Sequence, residues 1–274
     1  MLASIPSPSS GSLNLGPLTL NAYGAMIALG VIVAVWVGGK RLEARNAGTR
    51  DDMSAIAMWG VPAGVIGARI YHVVTDWDRF SGDLGATIQI WKGGLGIWGG
   101  IFFGTIVGVG VARRRGRAPS AVLTAVAPGL AFAQAIGRWG NWFNQELFGR
   151  ATSLPWALRV SDDTAVRAGF EPGTTFHPTF LYESLSCAAL GFGLIVLDRR
   201  VPMKPGRLFA FYVAGYTAFR FFIEGLRIDP AHYAGGLRLN QWVSLVVFAC
   251  AAVVIVAMKG APATNEQAAP EQAE

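Results

Sequence analysis

Seven apolar runs limit what this chain can fold into: Leu18–Gly39, Met53–Val74, Leu95–Ala112, Ala121–Ile136, Thr179–Leu197, Leu208–Ile223 and Trp242–Met258. Several of them approach or exceed the roughly 17–25 residues that carry a helix across a bilayer. The expected fold is an all-α membrane protein, a polytopic bundle of about seven transmembrane helices with a small extracytoplasmic loop region. Composition supports this: only 15% of the 274 residues are charged and 52% are hydrophobic, whereas a soluble domain is typically about 25% charged.

The net charge of +6 would suit a nucleic-acid partner, but the placement of the basic residues argues for topology instead. If the first span enters from outside, one set of loops holds Lys40, Arg41, Arg45, Arg50, Arg113, Arg114, Arg115, Arg117, Arg199, Arg200, Lys204, Arg207 and Lys259. The opposite loops hold Arg79, Lys92, Arg150, Arg159, Arg167, Arg227 and Arg238, so the division is thirteen to seven among 23 basic residues. The positive-inside rule then puts the N-terminus outside and the C-terminus in the cytoplasm. No nucleic-acid partner is expected.

Met1 to Gly39 lacks Lys and Arg, so the charged n-region of a cleaved signal peptide is missing and the first span is expected to be retained. Ser7–Gly16 reads as a loop, with Pro17 opening the first helix. Cys187 and Cys250 both fall in spans without redox or zinc spacing, and both are expected to be buried and inert. The three histidines are far apart and no H-E-x-x-H occurs, so neither metal nor other cofactor is expected. Residues 1–259 are taken as one transmembrane domain whose longest outer loop is about 150–176, and the Ala/Pro/Gln/Glu-rich stretch 260–274 as a disordered cytoplasmic tail.

Ionisable residues within such spans cost roughly 2.5–3.5 kcal/mol on insertion scales, so they need internal partners and mark functional paths. The richest cluster follows the fourth run directly: Gly137-Arg138-Trp139-Gly140-Asn141-Trp142-Phe143-Asn144-Gln145-Glu146-Leu147-Phe148-Gly149. If the helix continues, Arg138, Asn141 and Gln145 share a face suited to an anion. Glu183 lies one turn into the fifth span and wants a cation, which Arg138 or Arg220 could supply. Tyr216, Arg220, Glu224 and Arg227 line one face of the sixth, where Arg220 and Glu224 could also be a buried salt bridge that fixes register. Tyr23 fits an interfacial aromatic belt as well as a site, His177 could cap its helix, and Arg69 could snorkel to the interface.

The pattern G-R-x-G-N-x-x-N-x-E-x-x-G resembles the signature of the bacterial prolipoprotein diacylglyceryl transferases, with Gly137, Arg138, Gly140, Asn141, Asn144, Glu146 and Gly149 at its fixed positions. Further boxes that resemble the family are the Tyr-Gly pair at Tyr23, the G-x-R at Arg69, H-P-x-x-L-Y-E from His177 to Glu183, and Y-x-x-x-R-x-x-x-E-x-x-R from Tyr216 to Arg227. In the family's G-G-x-x-x-H-G-G box, Trp98 stands where many members carry histidine. An indole cannot accept a proton, so a scheme with that histidine as base does not transfer.

The resemblance implies transfer of a diacylglyceryl group from phosphatidylglycerol to the lipobox cysteine of a prolipoprotein, with glycerol phosphate leaving, in a bacterial plasma membrane. It implies as partners that lipid, prolipoprotein signal peptides and the surrounding membrane, and the chain is expected to act as a monomer. Catalytic candidates are Arg138, Arg220, Glu224, Tyr23 and His177; candidates for substrate binding are Arg138, Asn141, Asn144, Glu146, Gly149, Arg69, Tyr216, Arg227 and Glu183. Arginine pairs with phosphate bidentately and never deprotonates, which suits a clamp and excludes it as the base. The base stays open among Glu224, Tyr23 and His177. An anion transporter or channel would also use membrane-embedded arginines and is the rival class.

Overall fold

In a computed structural model, residues 4–15, 18–90 and 93–260 are described. Among the described residues there are seven long helices, α1 (Ala22–Ala44), α2 (Arg50–Thr75), α3 (Ile97–Arg114), α4 (Pro119–Asn144), α6 (Thr179–Arg200), α7 (Arg207–Leu226) and α8 (Leu239–Ala257), with a short α5 (Asp162–Arg167). Each apolar run of the sequence lies wholly or for the most part in one of these long helices, as expected where no water can satisfy a peptide group. Five of them, α1, α2, α4, α6 and α8, are long and apolar enough to cross a membrane. In the other two, Arg113 and Arg114 end α3, and Arg207, Arg220 and Glu224 lie in α7.

The helix α4 is central, packing along α1, α6 and α7; α2 and α3 pair closely and join through α1, while α8 lies along α7. Glycines set two of these seams. A Cβ on Gly129 would stand 2.8 Å from the Ala34 carbonyl oxygen, and one on Gly30 2.9 Å from that of Ala133, so α1 and α4 meet backbone to backbone. Gly60 and Gly64 of α2 face Gly104 and Gly100 of α3 in the same way, the close approach that small residues permit in membrane bundles.

One end of the bundle carries a small folded cap. Strands β1 (Ile5–Pro6), β4 (Leu158–Arg159) and β5 (Thr175–Phe176) form a sheet in the order β1-β4-β5, and β2 (Ser12–Leu15) pairs antiparallel with β3 (Leu18–Asn21). Phe148, Leu158, Val160, Ala165, Phe176 and Phe180 form its core. The N-terminal lead therefore differs from the expected loop, and α1 starts at Ala22 instead of Leu18, because backbone pairing with the cap and the β2–β3 hairpin captures the apolar residues Leu18 and Leu20 first. Asn21 caps α1 by accepting the Tyr23 amide at 2.9 Å. Strands β6 (Tyr233–Ala234) and β7 (Leu237–Arg238) make a hairpin between α7 and α8. Of the expected disordered tail, residues 261–274 lie outside the described residues, as do Pro17, Trp91 and Lys92.

Candidate active site

The signature segment does not continue as one helix. Gln145 takes a left-handed conformation (φ 53°) and ends α4 at Asn144, and Leu147 does the same (φ 59°). The Gln145 side chain turns outward to donate to the Pro8 carbonyl (2.8 Å) and accept from the Ser161 amide (2.7 Å), so it ties the cap together instead of joining Arg138 and Asn141 on one face. Arg138 and Asn141 remain on α4, close to the cap.

The two key guanidiniums converge. Arg138 Nη2 lies 2.7 Å from Glu183 Oε2 and Arg220 Nη1 lies 3.1 Å from Glu183 Oε1, so one carboxylate on α6 joins an arginine of α4 to an arginine of α7. Arg138 also donates to the Tyr216 hydroxyl at 3.3 Å. Glu183 is 5% exposed, and a carboxylate at that depth stays charged only where cations surround it.

Behind Arg220 lies a second carboxylate. Glu224, fully buried, accepts from Arg220 at 2.6 Å and lies 3.7 Å from Arg227 and 2.9 Å from Arg238. Arg227 chelates Asp229 through two bonds of 2.7 and 2.9 Å, and Arg238 reaches both Asp229 and the Arg227 carbonyl. Burial pushes the Asp229 carboxyl up, but the bonds from Arg227 and the charges of Arg227 and Arg238 outweigh it and hold the group below the usual range. Charge thus alternates from Arg138 through Glu183, Arg220 and Glu224 to Arg238. Four guanidiniums face three carboxylates here, which leaves an excess of positive charge.

A polar group beside this chain sits on the α1 side of α4. Asn141 donates to Glu146 Oε1 at 2.8 Å, and Asn144 lies 3.5 Å from the same oxygen. Tyr23 of α1 lies beside this group. Its ring lies against Gly140, where any Cβ would collide with it, so this glycine of the signature makes room for Tyr23.

Other expected site residues lie elsewhere. Gly149 is a joint: its amide bonds the His177 carbonyl at 3.0 Å, and a Cβ there would meet His177 Cβ at 2.8 Å and the Leu226 carbonyl at 3.1 Å. His177 shares its Nδ1 with the Tyr182 hydroxyl (3.2 Å), which also accepts from the Trp156 indole (3.0 Å); its contacts are with the cap and not with the arginines. Arg69 is buried and donates to the carbonyls of Ala86, Thr87, Gly93 and Gly94 at 2.6–2.8 Å. It neither snorkels nor joins Arg138 and Arg220: the loop after α2 folds around it. Nearby His72 pairs with Asp76 at 2.8 Å. Of the two thiols, Cys187 is buried as expected, while Cys250 is exposed on α8, because that helix lies at the edge of the bundle.

Sequence reasoning missed Arg238, Asp229 and Asn240, the last within 3.4 Å of Glu224. In the sequence Arg238 reads as a loop charge, yet it is 3% exposed. Its signal was available: an arginine at the mouth of an apolar span, close in sequence to an isolated aspartate.

The family model for "Prolipoprotein diacylglyceryl transferase" matches residues 11–257. The chain is 53% identical to phosphatidylglycerol–prolipoprotein diacylglyceryl transferase 1 of Streptomyces coelicolor, covering 93% of this chain and 74% of the relative. It is 48% identical to the enzyme of that name in Streptomyces griseus (99% and 83% covered) and 47% identical to that of Cutibacterium acnes (93% and 87% covered).

Proposed function

The chain belongs to the prolipoprotein diacylglyceryl transferase family, and from that premise we propose that Arg138 and Arg220 form the phosphate clamp of its reaction. The activity is that of a phosphatidylglycerol–prolipoprotein diacylglyceryl transferase, with phosphatidylglycerol as donor and a prolipoprotein as acceptor. A cysteine sulfur of the acceptor bonds the glycerol carbon that carries the phosphate. The carbon–oxygen bond breaks, and glycerol phosphate leaves with the electron pair. The thiol proton passes to solvent or to the departing phosphate, whose second pKa is about 6.

The observation that carries this reading is Glu183 held between Arg138 and Arg220 at 2.7 and 3.1 Å. The spacing that seats one carboxylate between two guanidiniums also suits a phosphodiester, which offers the same kind of paired oxygens. Negative charge grows on the phosphate as the bond breaks, and arginines already fixed in a dry site stabilise that change more than they stabilise bound lipid. Glu224 has three guanidiniums around it. It therefore positions Arg220 and makes a poor base, while Arg227 and Arg238 hold Glu224 in turn. The surroundings of Tyr23 favour it over His177 as the group beside the incoming thiol, since its ring packs on Gly140, the residue of α4 that precedes Asn141, whereas His177 bonds Tyr182. A single chain contains every residue in this scheme, and the cap is read as the outer face where the acceptor's lipobox arrives.

Purified protein given phosphatidylglycerol and a peptide with one lipobox cysteine should add a diacylglyceryl mass to the peptide and release glycerol phosphate. Arg138→Ala and Arg220→Ala should each lose at least about a hundredfold in rate, the usual cost of removing one oriented donor. Full transfer by either folded variant would remove that arginine from the clamp.

A further inference from the structure

Among α1–α4, away from the arginine chain, lies a cavity of about 300 Å³. Val31 of α1, Ala57 of α2, Val109 of α3, and Val126, Leu130 and Ala133 of α4 are among its walls. We propose that it receives the terminal part of one acyl chain of the lipid substrate and sets the chain length that is transferred best; this rests on the diacylglyceryl-transfer reading above.

Its chemistry points to a hydrocarbon occupant. The side chains that face it are almost all apolar, so water would find too few partners to be held there. Room for about ten water-sized groups suits the end of one chain and not a whole diacyl lipid.

Its position points to the substrate's own chain. Leu123, Leu130, Gly137 and Asn144 follow one another seven residues apart, two helical turns each, and so form one row along α4. The first two line the cavity, and the last neighbours Glu146 in the polar group. Between them is Gly137, beside which a Cβ would meet nothing within 4 Å. On α1, Gly24 stands one such step from Val31 and also borders open space. The two glycines therefore leave room beside α1 and α4 along the stretch that separates Tyr23 and Asn141 from the cavity. Arg138, one residue beyond Gly137, is rotated by about 100° toward α6 and α7, so a phosphate and a chain can occupy neighbouring faces of the same helix.

The lengths agree. Half of a hydrocarbon core is about 15 Å, and ten residues of helix from Asn141 toward its N-terminus cover about the same distance. That ends at the level of Leu130 and Ala133, the part of the cavity nearest the site. Only the last methylenes of a chain enter, and these are the ones that differ between chain lengths.

The test compares dilauroyl with distearoyl phosphatidylglycerol as donor to a lipobox peptide, using the full chain and reading the ratio of transfer rates. Ala57→Phe fills the cavity and should lower the distearoyl-to-dilauroyl ratio by about tenfold, in the range that a methylene or two commands in an apolar pocket. Leu130→Ala enlarges it and should raise the ratio. Ratios within twofold of the unaltered protein in both variants would overturn the inference; if Ala57→Phe does not fold, an unchanged ratio in Leu130→Ala does so alone. Absence of transfer by the unaltered protein from either lipid would instead overturn the transfer reading.

Discussion

Glu183 lies between Arg138 and Arg220, the place proposed above for the substrate phosphate. Two part-buried guanidiniums without that carboxylate repel each other, and breaking a fully buried pair typically costs about 3–5 kcal/mol. Glu183→Gln should therefore lower the melting temperature, and phosphatidylglycerol should restore more of the loss in the variant than it adds to the unaltered protein, since its phosphate returns the missing charge. Equal lipid effects in the two proteins would remove Glu183 from the phosphate's surroundings. At this scale the sequence was partly legible. That Glu183 needed Arg138 or Arg220 followed from the cost of burying a charge, but that it takes both could not be read from spacing within any one helix. Arg69 illustrates the converse. An arginine in a span needs acceptors, and the backbone carbonyls of a nearby loop fill that need as well as a head group does.

Helix seams explain many of the glycines. On α4, Gly129 touches the backbone of α1, whereas Gly137 borders open space. Gly129→Ala should be destabilising by about 1–3 kcal/mol, the usual cost of overpacking, while Gly137→Ala should leave thermal stability unchanged; a matched pair of melting curves checks this. Similar shifts for both would mean that α1 and α4 are not held by close backbone contact. The helices themselves were visible as apolar runs, because a lipid-facing or buried helix must be apolar along its length. Their ends were less visible. The signature's break at Gln145 depends on bonds to Pro8 and Ser161, residues 137 and 16 positions away. The first strands depend likewise on partners supplied by the cap.

For the whole molecule, the arginine chain and the cap lie at one end of the bundle, and Arg41 and Arg45, both paired with Asp198, at the other. From the positive-inside rule we propose that the cap faces outward. Placed one at a time in a Cys250→Ser background, a cysteine at Ser161 should react with an impermeant maleimide added to intact cells, and one at Lys204 only after permeabilisation. The reverse pattern would invert the topology. The sequence by itself determined the membrane class, the long helices and the family's boxes, because each is written in local apolar length or in short fixed spacings. Only the tertiary structure decided that Arg138 and Arg220 share Glu183, that Arg238 stands behind them, and that Arg69 serves a loop. The first of these pairings joins three different helices, and a buried charge takes whichever partner the packing brings within reach, a choice that local sequence does not encode.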